Sequence, residues 1–336
     1  MKKTTGIICG LLALSLTGGA LFGQTNGLEM PMLAQHLPIS GFEVVNRIPS
    51  SRMAGLPAVL PVYKYSAKPR EFSAAALQTL LDQSAFAGTN AAELHKSHFG
   101  TAQPDETVRL ATGRNMDYFI ITPATGLVAM QNQSRGTNAA QPPADAMPSF
   151  DVIRERLFRH AEAFGISTND MERAPDGAVH TPRTEDRITR MGGAVKFIGR
   201  RSMKFSRSIG SYALLANDDK IELVLGGNGR IQKFELKWPV IEPVRTNRVF
   251  TTERLVAEIK RGNMLADIGN EYPSDGIAKI VLKDIRICYY AFSPRGFGYV
   301  PPGTEIFPVA SLHVAFTSKL GKTQDGALFA PILETR

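Results

Sequence analysis

The chain has 336 residues, with 39 Lys and Arg against 31 Asp and Glu for a formal net charge of +8, and two cysteines. That length sets an expectation of two or three compact units, and so few cysteines exclude a small disulfide-stapled scaffold. No heptad, collagen-like repeat or second long apolar span is present, which excludes coiled-coil and fibrous classes, while the mild basic balance suits contact with an anionic surface or polyanion.

Lys2 and Lys3 precede an uncharged, mostly apolar stretch over residues 4–23, made hydrophobic chiefly by Ile7, Ile8, Leu11, Leu12, Leu14, Leu16 and Leu21. Small and polar residues follow at 23–27, ahead of the first acidic residue, Glu29. This order predicts a signal peptide over residues 1–23, cut between Ala20 and Gly27. A retained anchor needs roughly 20 strongly apolar residues, and Gly6, Gly10, Ser15, Thr17, Gly18 and Gly19 dilute this run. The expectation is an exported chain, periplasmic or secreted, that is not an integral membrane protein after cleavage. Losing Lys2 and Lys3 lowers the net charge to +6, and losing Cys9 leaves Cys288 as the sole thiol.

The first predicted unit covers residues 40–131. It opens with a short strand at 61–65, followed by a helix at 73–87 with Ser73 as N-cap and Gly88 as its stop. Leu77, Leu80, Leu81 and Ala85 recur at helical spacing. Strands at 117–122 and 126–131 then form a hairpin. Residues 132–148 hold Ser, Gly, Asn, Pro and small side chains without apolar periodicity and read as a linker.

The second unit, 149–245, begins with a helix capped by Ser149, lined by Ile153, Leu157, Ala161 and Phe164 and ended by Gly165. After a polar loop at 167–193, strands are expected at 194–198 and 203–209. A hairpin follows, 221–225 and 230–238, around Gly226-Gly227-Asn228-Gly229, a cluster that supplies the positive φ angles a tight turn needs. The third unit, 246–336, repeats the order. Thr251 or Thr252 caps a helix carrying Leu255, Val256 and Ile259, and strands follow at 279–283, 285–292, 309–317 and 327–333. Helices that precede runs of hairpins predict an α+β fold of repeated units, each one helix packed on an antiparallel β-sheet.

Met203-Lys204-Phe205-Ser206-Arg207-Ser208-Ile209-Gly210, then residues 219–231 with their Asn228-Gly229 turn, and the close on Lys237-Trp238-Pro239 carry a resemblance. The pattern resembles PepSY and related thermolysin-propeptide domains: an aromatic-x-Arg strand with Ile-Gly, an apolar strand, an Asn-Gly turn and a strand ending in Trp. The helix at 251–261 and the stretches Phe307-Pro308-Val309 and Phe329-Ala330-Pro331 extend the likeness over roughly residues 149–335. It implies two PepSY/cystatin-like modules, non-catalytic, of the kind thought to inhibit or regulate. The chain has no His-Glu-x-x-His zinc helix, so the resemblance implies a trans-acting or sensing role. Residues 211–218 depart from the pattern as an insertion.

No catalytic, cofactor or metal residue is assigned. His95 and His98 share a helix spacing that suits a metal, with only Glu93 near to complete the shell, and read as a solvated helix end. Cys288 lies in an apolar strand without a histidine partner in sequence and reads as a buried thiol. Asp218 and Asp219 are adjacent, which in a strand points them to opposite faces. Gly226–Gly229 precedes a strand rather than a helix and so is a turn, not a phosphate cradle.

Arg183, Arg187, Arg190, Lys196, Arg200, Arg201, Lys204 and Arg207 fall in one window opposed only by Glu185 and Asp186. Lys196, Arg200, Arg201, Lys204 and Arg207 are the candidate partner-binding residues, against the alternative of a solvated sheet surface. The expected partner is an envelope or secreted protein, such as a peptidase, or an anionic envelope polymer. Nucleic acid is disfavoured by export and by the lack of interleaved stacking aromatics. The leading functional expectation is a non-enzymatic binding or regulatory protein of the cell envelope. The alternatives are a hydrolase or metal-dependent enzyme whose site is assembled from distant residues, and a structural envelope spacer.

Overall fold

A computed structural model describes residues 41–94, 107–111, 117–132, 147–174, 178–189, 196–215, 219–267, 276–291 and 302–334. The predicted signal peptide, most of the predicted linker, and His95 and His98 lie outside the described residues.

In chain order the elements are β1 (Glu43–Asn46), α1 (Ser50–Ala54), β2 (Val59–Tyr65), α2 (Ala74–Leu81), β3 (Val108–Ala111), β4 (Tyr118–Thr122) and β5 (Leu127–Gln131). Next come α3 (Phe150–Ala163), β6 (Arg183–Thr189), β7 (Lys196–Ser206), β8 (Ser208–Ile209), β9 (Tyr212–Leu215), β10 (Lys220–Leu225), β11 (Ile231–Lys237) and β12 (Ile241–Arg248). The last are α4 (Thr252–Lys260), β13 (Leu265–Asp267), β14 (Ile277–Ala291), β15 (Glu305–Ser318) and β16 (Thr323–Pro331). Ser73, Ser149 and Thr251 cap α2, α3 and α4, each accepting a hydrogen bond from the backbone N–H three residues on. No helix among the described residues is long and apolar enough to cross a membrane.

The expected α+β fold of repeated helix-on-sheet units is not what forms. The chain is mostly β, in two large sheets that include a half-barrel. A seven-stranded sheet runs β3-β4-β5-β11-β10-β7-β6, and a nine-stranded sheet is built around the long β14–β15 hairpin. At one end of that hairpin β15 pairs with β2, and β2 with β12; at the other it pairs with β16. β14 takes β1 and β9 as parallel partners. The physical reason is edge pairing. Local hairpins leave unpaired N–H and C=O groups along their flanks, and here those flanks meet strands far away in sequence. β5 closes onto β11, Leu127 opposite Lys237 through Gln131 opposite Lys233, so the two hairpins share one sheet. β2 leaves that sheet altogether.

Gly126 makes the β5–β11 junction possible. Its φ is +61°, and a Cβ there would lie 2.5 Å from the carbonyl carbon of Trp238 and 2.6 Å from the nitrogen of Pro239. Only a residue without a side chain lets the β4–β5 turn approach that backbone. The helices α2 and α3 cover one face of the seven-stranded sheet around Leu77, Leu81, Ile153, Leu157, Phe205 and Phe234. A second core around Leu255, Ile259, Ile280, Leu312 and Phe316 belongs to the nine-stranded sheet. Between β2 and α2, β7 and β8, β9 and β10, and β11 and β12, the chain crosses from one sheet to the other.

Candidate functional site

The basic window forms β6 and β7. Both strands have a cause in pairing rather than in their own composition. β6 carries one apolar residue, Ile188, in seven, and it is held by β7 from Arg183 opposite Met203 to Thr189 opposite Lys196. β7 has eleven residues, but its other neighbour, β10, accompanies it only from Ser206 to Arg201. Residues 196–200 therefore continue past the sheet with β6 as their only strand partner among the described residues. Five residues make a two-stranded ribbon of about 15 Å. A register shift between Asp186 and Arg187 skips Gly199, a bulge where the ribbon leaves the sheet.

The five candidate side chains do not form one face. Arg200 and Lys204 are exposed on the open face of the sheet. Arg200 is bonded through Nε to Asp186, its cross-strand partner. Lys204 stands opposite Glu222, beside a network in which Lys220 and Lys233 bridge Glu222 and Glu235. Burial opposes the charge on Lys233, but its bonds to Glu222 and Glu235 outweigh that and hold its pKa above the ordinary lysine value. Glu235 is correspondingly held below the usual carboxylate range, Lys233 and Lys220 overcoming its burial.

Arg201 points to the helix side. Its Nε donates to Glu185 at 3.0 Å and its Nη1 to the Pro148 carbonyl at 2.9 Å, while its guanidinium lies 5.3 Å from the Phe150 ring centroid. Arg183 faces the same ring at 5.5 Å. Two arginines thus clamp the first residue of α3, a cation–π arrangement that fixes the base of the ribbon. Lys196 pairs through its backbone with Thr189 near the ribbon's far end.

Arg207 is inside the molecule, 8% exposed, and is not part of the surface. It donates to the Pro239 carbonyl at 2.6 Å and to Asp219 at 3.3 Å, and packs 5.2 Å from the Trp238 ring centroid. Tyr65 and Lys237 also face Asp219, so each crossing between the sheets contributes to one buried polar cluster. Burial raises the pKa of Asp219 to about 6, against the pull of Arg207 and Lys237. Arg70 joins from the β2–α2 connection, donating to the carbonyls of Trp238 and Phe164 at 3.2 and 2.8 Å. Its pKa is lowered by burial and by Arg207.

No family model matches the chain. No curated protein matches it either. Among solved structures, it is similar to an uncharacterized protein from Eubacterium rectale ATCC 33656, at 10% identity and a TM-score of 0.40, over 88% of this chain and 87% of that one.

The remaining sequence candidates resolve differently. Asp219 is committed to Arg207, and Asp218 lies outside the described residues. Gly226–Gly229 is a turn with Asn228 at φ 58°, as its composition predicts. Cys288 is buried, and burial pushes its thiol up to about 12, which leaves little thiolate for nucleophilic chemistry. Among the described residues no group of three His, Cys, Asp or Glu side chains is placed to hold a metal ion. Sequence reasoning missed the Phe150 clamp and Arg70. The clamp had one legible signal, an aromatic residue directly after the Ser149 cap; Arg70 had none.

Proposed function

We propose that this is a non-enzymatic binding or regulatory protein of the cell envelope, which holds an anionic partner on the ribbon formed by β6 and β7. The observation that carries the reading is the concentration of basic charge in the segment that forms β6 and β7. Residues 183–207 hold eight basic and two acidic side chains, a net charge equal to that of the whole chain without Lys2 and Lys3. The two acids are matched by Arg200 and Arg201 and Arg207 is internal, so the excess rests with Arg183 and Lys204 and, by sequence, with Arg187, Arg190 and Lys196. A local excess of positive charge raises the encounter rate with acidic surfaces. The Lys2-Lys3 and apolar leader supports export, and with it a partner outside the cytoplasm.

The test is affinity capture from envelope and culture-supernatant extracts with the chain from Gln24 onward. The comparison bait carries Arg200→Glu and Lys204→Glu, two exposed positions whose reversal leaves the Phe150 clamp in place. One dominant partner, released by moderate salt and lost with the double reversal, is the expected result. A partner retained equally by both baits refutes the basic-ribbon reading.

A further inference from the structure

The turn between β10 and β11 brings an exposed arginine to a cavity. Asn228 and Gly229 both have positive φ, 58° and 66°, so the chain reverses within two residues. Arg230 and Ile231 follow at once, the first exposed and the second buried. Gln83, just after α2, supplies a further wall. Gln83, Gly229, Arg230 and Ile231 line a cavity of about 410 Å³, within the range of about 300–1,000 Å³ common to small-molecule sites.

The walls are set by bonds from outside the cavity. Asn132 is 1% exposed and donates through Nδ2 to the carbonyls of Gln83 and Ile231 at 3.1 and 2.9 Å, while its Oδ1 accepts from Ala85 N–H at 3.1 Å. One buried amide thus fixes the spacing between the α2 side and the β11 side. Arg156, on α3, holds the turn by donating to the Gly229 carbonyl at 2.5 Å. Walls preset in this way need little ordering to receive a ligand, which lowers the cost of binding. The charge is one-sided. Arg230 is the only charged member of the described lining, and neither it nor Arg156 has an acidic partner among the described residues. A guanidinium without a counterion suits a carboxylate, which it can grip through two parallel hydrogen bonds. The volume exceeds what a bare inorganic ion fills, so the acid group belongs to a larger organic body.

We propose that this cavity binds a small organic acid, its carboxylate paired with Arg230 and its body against Ile231 and Gln83. A peptide C-terminus and a sugar acid both present that chemistry. The site uses neither β6 nor β7, so it stands or falls separately from the proposed role of the basic segment.

The probes are acetyl-Ala-Leu with a free C-terminus, the same dipeptide as its neutral amide, and glucuronic acid, each titrated at neutral pH by ligand-observed saturation-transfer NMR. At an ordinary ligand efficiency, an acid of this size is expected to bind with a Kd of about 0.1–1 mM. Removing the charge from either side, in the amide probe or in Arg230→Gln, is expected to weaken binding about tenfold, in line with a charge-assisted hydrogen bond. Arg248→Gln, at another exposed arginine, should leave binding unchanged. Gln83→Trp fills the cavity and keeps Arg230, so it too should lose the probe. Equal binding by Arg230→Gln and the unaltered protein, or equal binding of acid and amide, overturns carboxylate recognition. Retention in Gln83→Trp, or an equal loss in Arg248→Gln, reduces Arg230 to a surface charge and overturns the cavity as the site. Failure of both acids to bind below about 10 mM overturns it outright. Tighter binding of acetyl-Ala-Leu identifies a peptide terminus as the source of the acid, and tighter binding of glucuronic acid identifies a sugar.

Discussion

Gly126 offers the sharpest test of the junction between the hairpins. In Gly126→Ala the new methyl group meets three backbone atoms, the carbonyl oxygen and carbon of Trp238 and the nitrogen of Pro239. None of these can rotate away as a side-chain tip would. The φ of +61° adds a strain of about 1 kcal/mol for any residue with a Cβ. Relieving the collision means separating the turn from β11, which breaks the bond from Trp238 N–H to the Gly126 carbonyl at 3.0 Å, about 1 kcal/mol. It also displaces a fully packed tryptophan, worth a further ~1–3 kcal/mol by analogy with overpacked cores. The expected loss is about 3–5 kcal/mol.

Trp238 is the only tryptophan in the chain and is 2% exposed, so its fluorescence reports this junction directly. In a urea titration with a slope of about 2.5 kcal/mol per molar, the midpoint should fall by about 1–2 M. Gly165→Ala separates the two causes. Gly165 has a similar φ of +69° but nothing within 4 Å of the added methyl. Its midpoint should fall by only about 0.4 M, the strain alone. Equal midpoints for the two variants would show that the collision with Trp238 and Pro239 does not matter, and the account of how β5 reaches β11 would be wrong.

Two buried groups make stability depend on pH in opposite directions. Burial, reinforced by Arg156 and Arg159, lowers the pKa of His160 from 6.5 to about 4. A lowered folded-state histidine favours the fold above pH 6.5 and withdraws up to about 3 kcal/mol as pH falls through 4, so His160→Leu should flatten the acid limb of urea midpoints between pH 7 and 4. Asp219 is raised from 3.8 to about 6, so its contribution is complete below 3.8 and is lost as pH rises through 6, about 3 kcal/mol in all. Asp219→Asn should therefore steepen the acid limb that His160→Leu flattens; the same slope in both variants would contradict these assignments. Cys288 should resist a thiol reagent at pH 8 in the folded protein and react fully in denaturing urea. Rapid labelling without denaturant would show that its strand opens.

Local structure was legible wherever one face is apolar and a cap or turn residue marks the end. Ser149 and the Ile153, Leu157, Ala161 face specified α3, and the glycine cluster specified the β10–β11 turn. β14 was readable only as two strands, because its register shifts between Leu282 and Asp284 and breaks the alternation. β6 and β12 were invisible. The first is almost wholly polar, and the second has four consecutive exposed positions around a proline. Residues 212–215, an insertion by pattern, are β9, which leaves the basic strand's sheet to pair in parallel with β14. Sheet membership was not legible at all, since it depends on which flanks meet across more than a hundred residues and local periodicity carries no such information.

The basic residues show why charge on a sequence does not amount to a surface. Arg200 and Arg207 lie in one strand and its exit, with the same side-chain chemistry, yet one is on the open face and the other in the inter-sheet cluster. Strand parity separates Arg201 and Arg207 from Arg200 and Lys204, and helix packing on one face then turns that alternation into burial. The buried members hold the strand that carries the exposed ones. Arg207 ties one end of β7 to Asp219, Pro239 and Trp238, and Arg201 ties its middle to Pro148, Glu185 and Phe150. β7 is thus fixed at its base and along the sheet, while residues 196–200 have β6 as their only strand partner among the described residues.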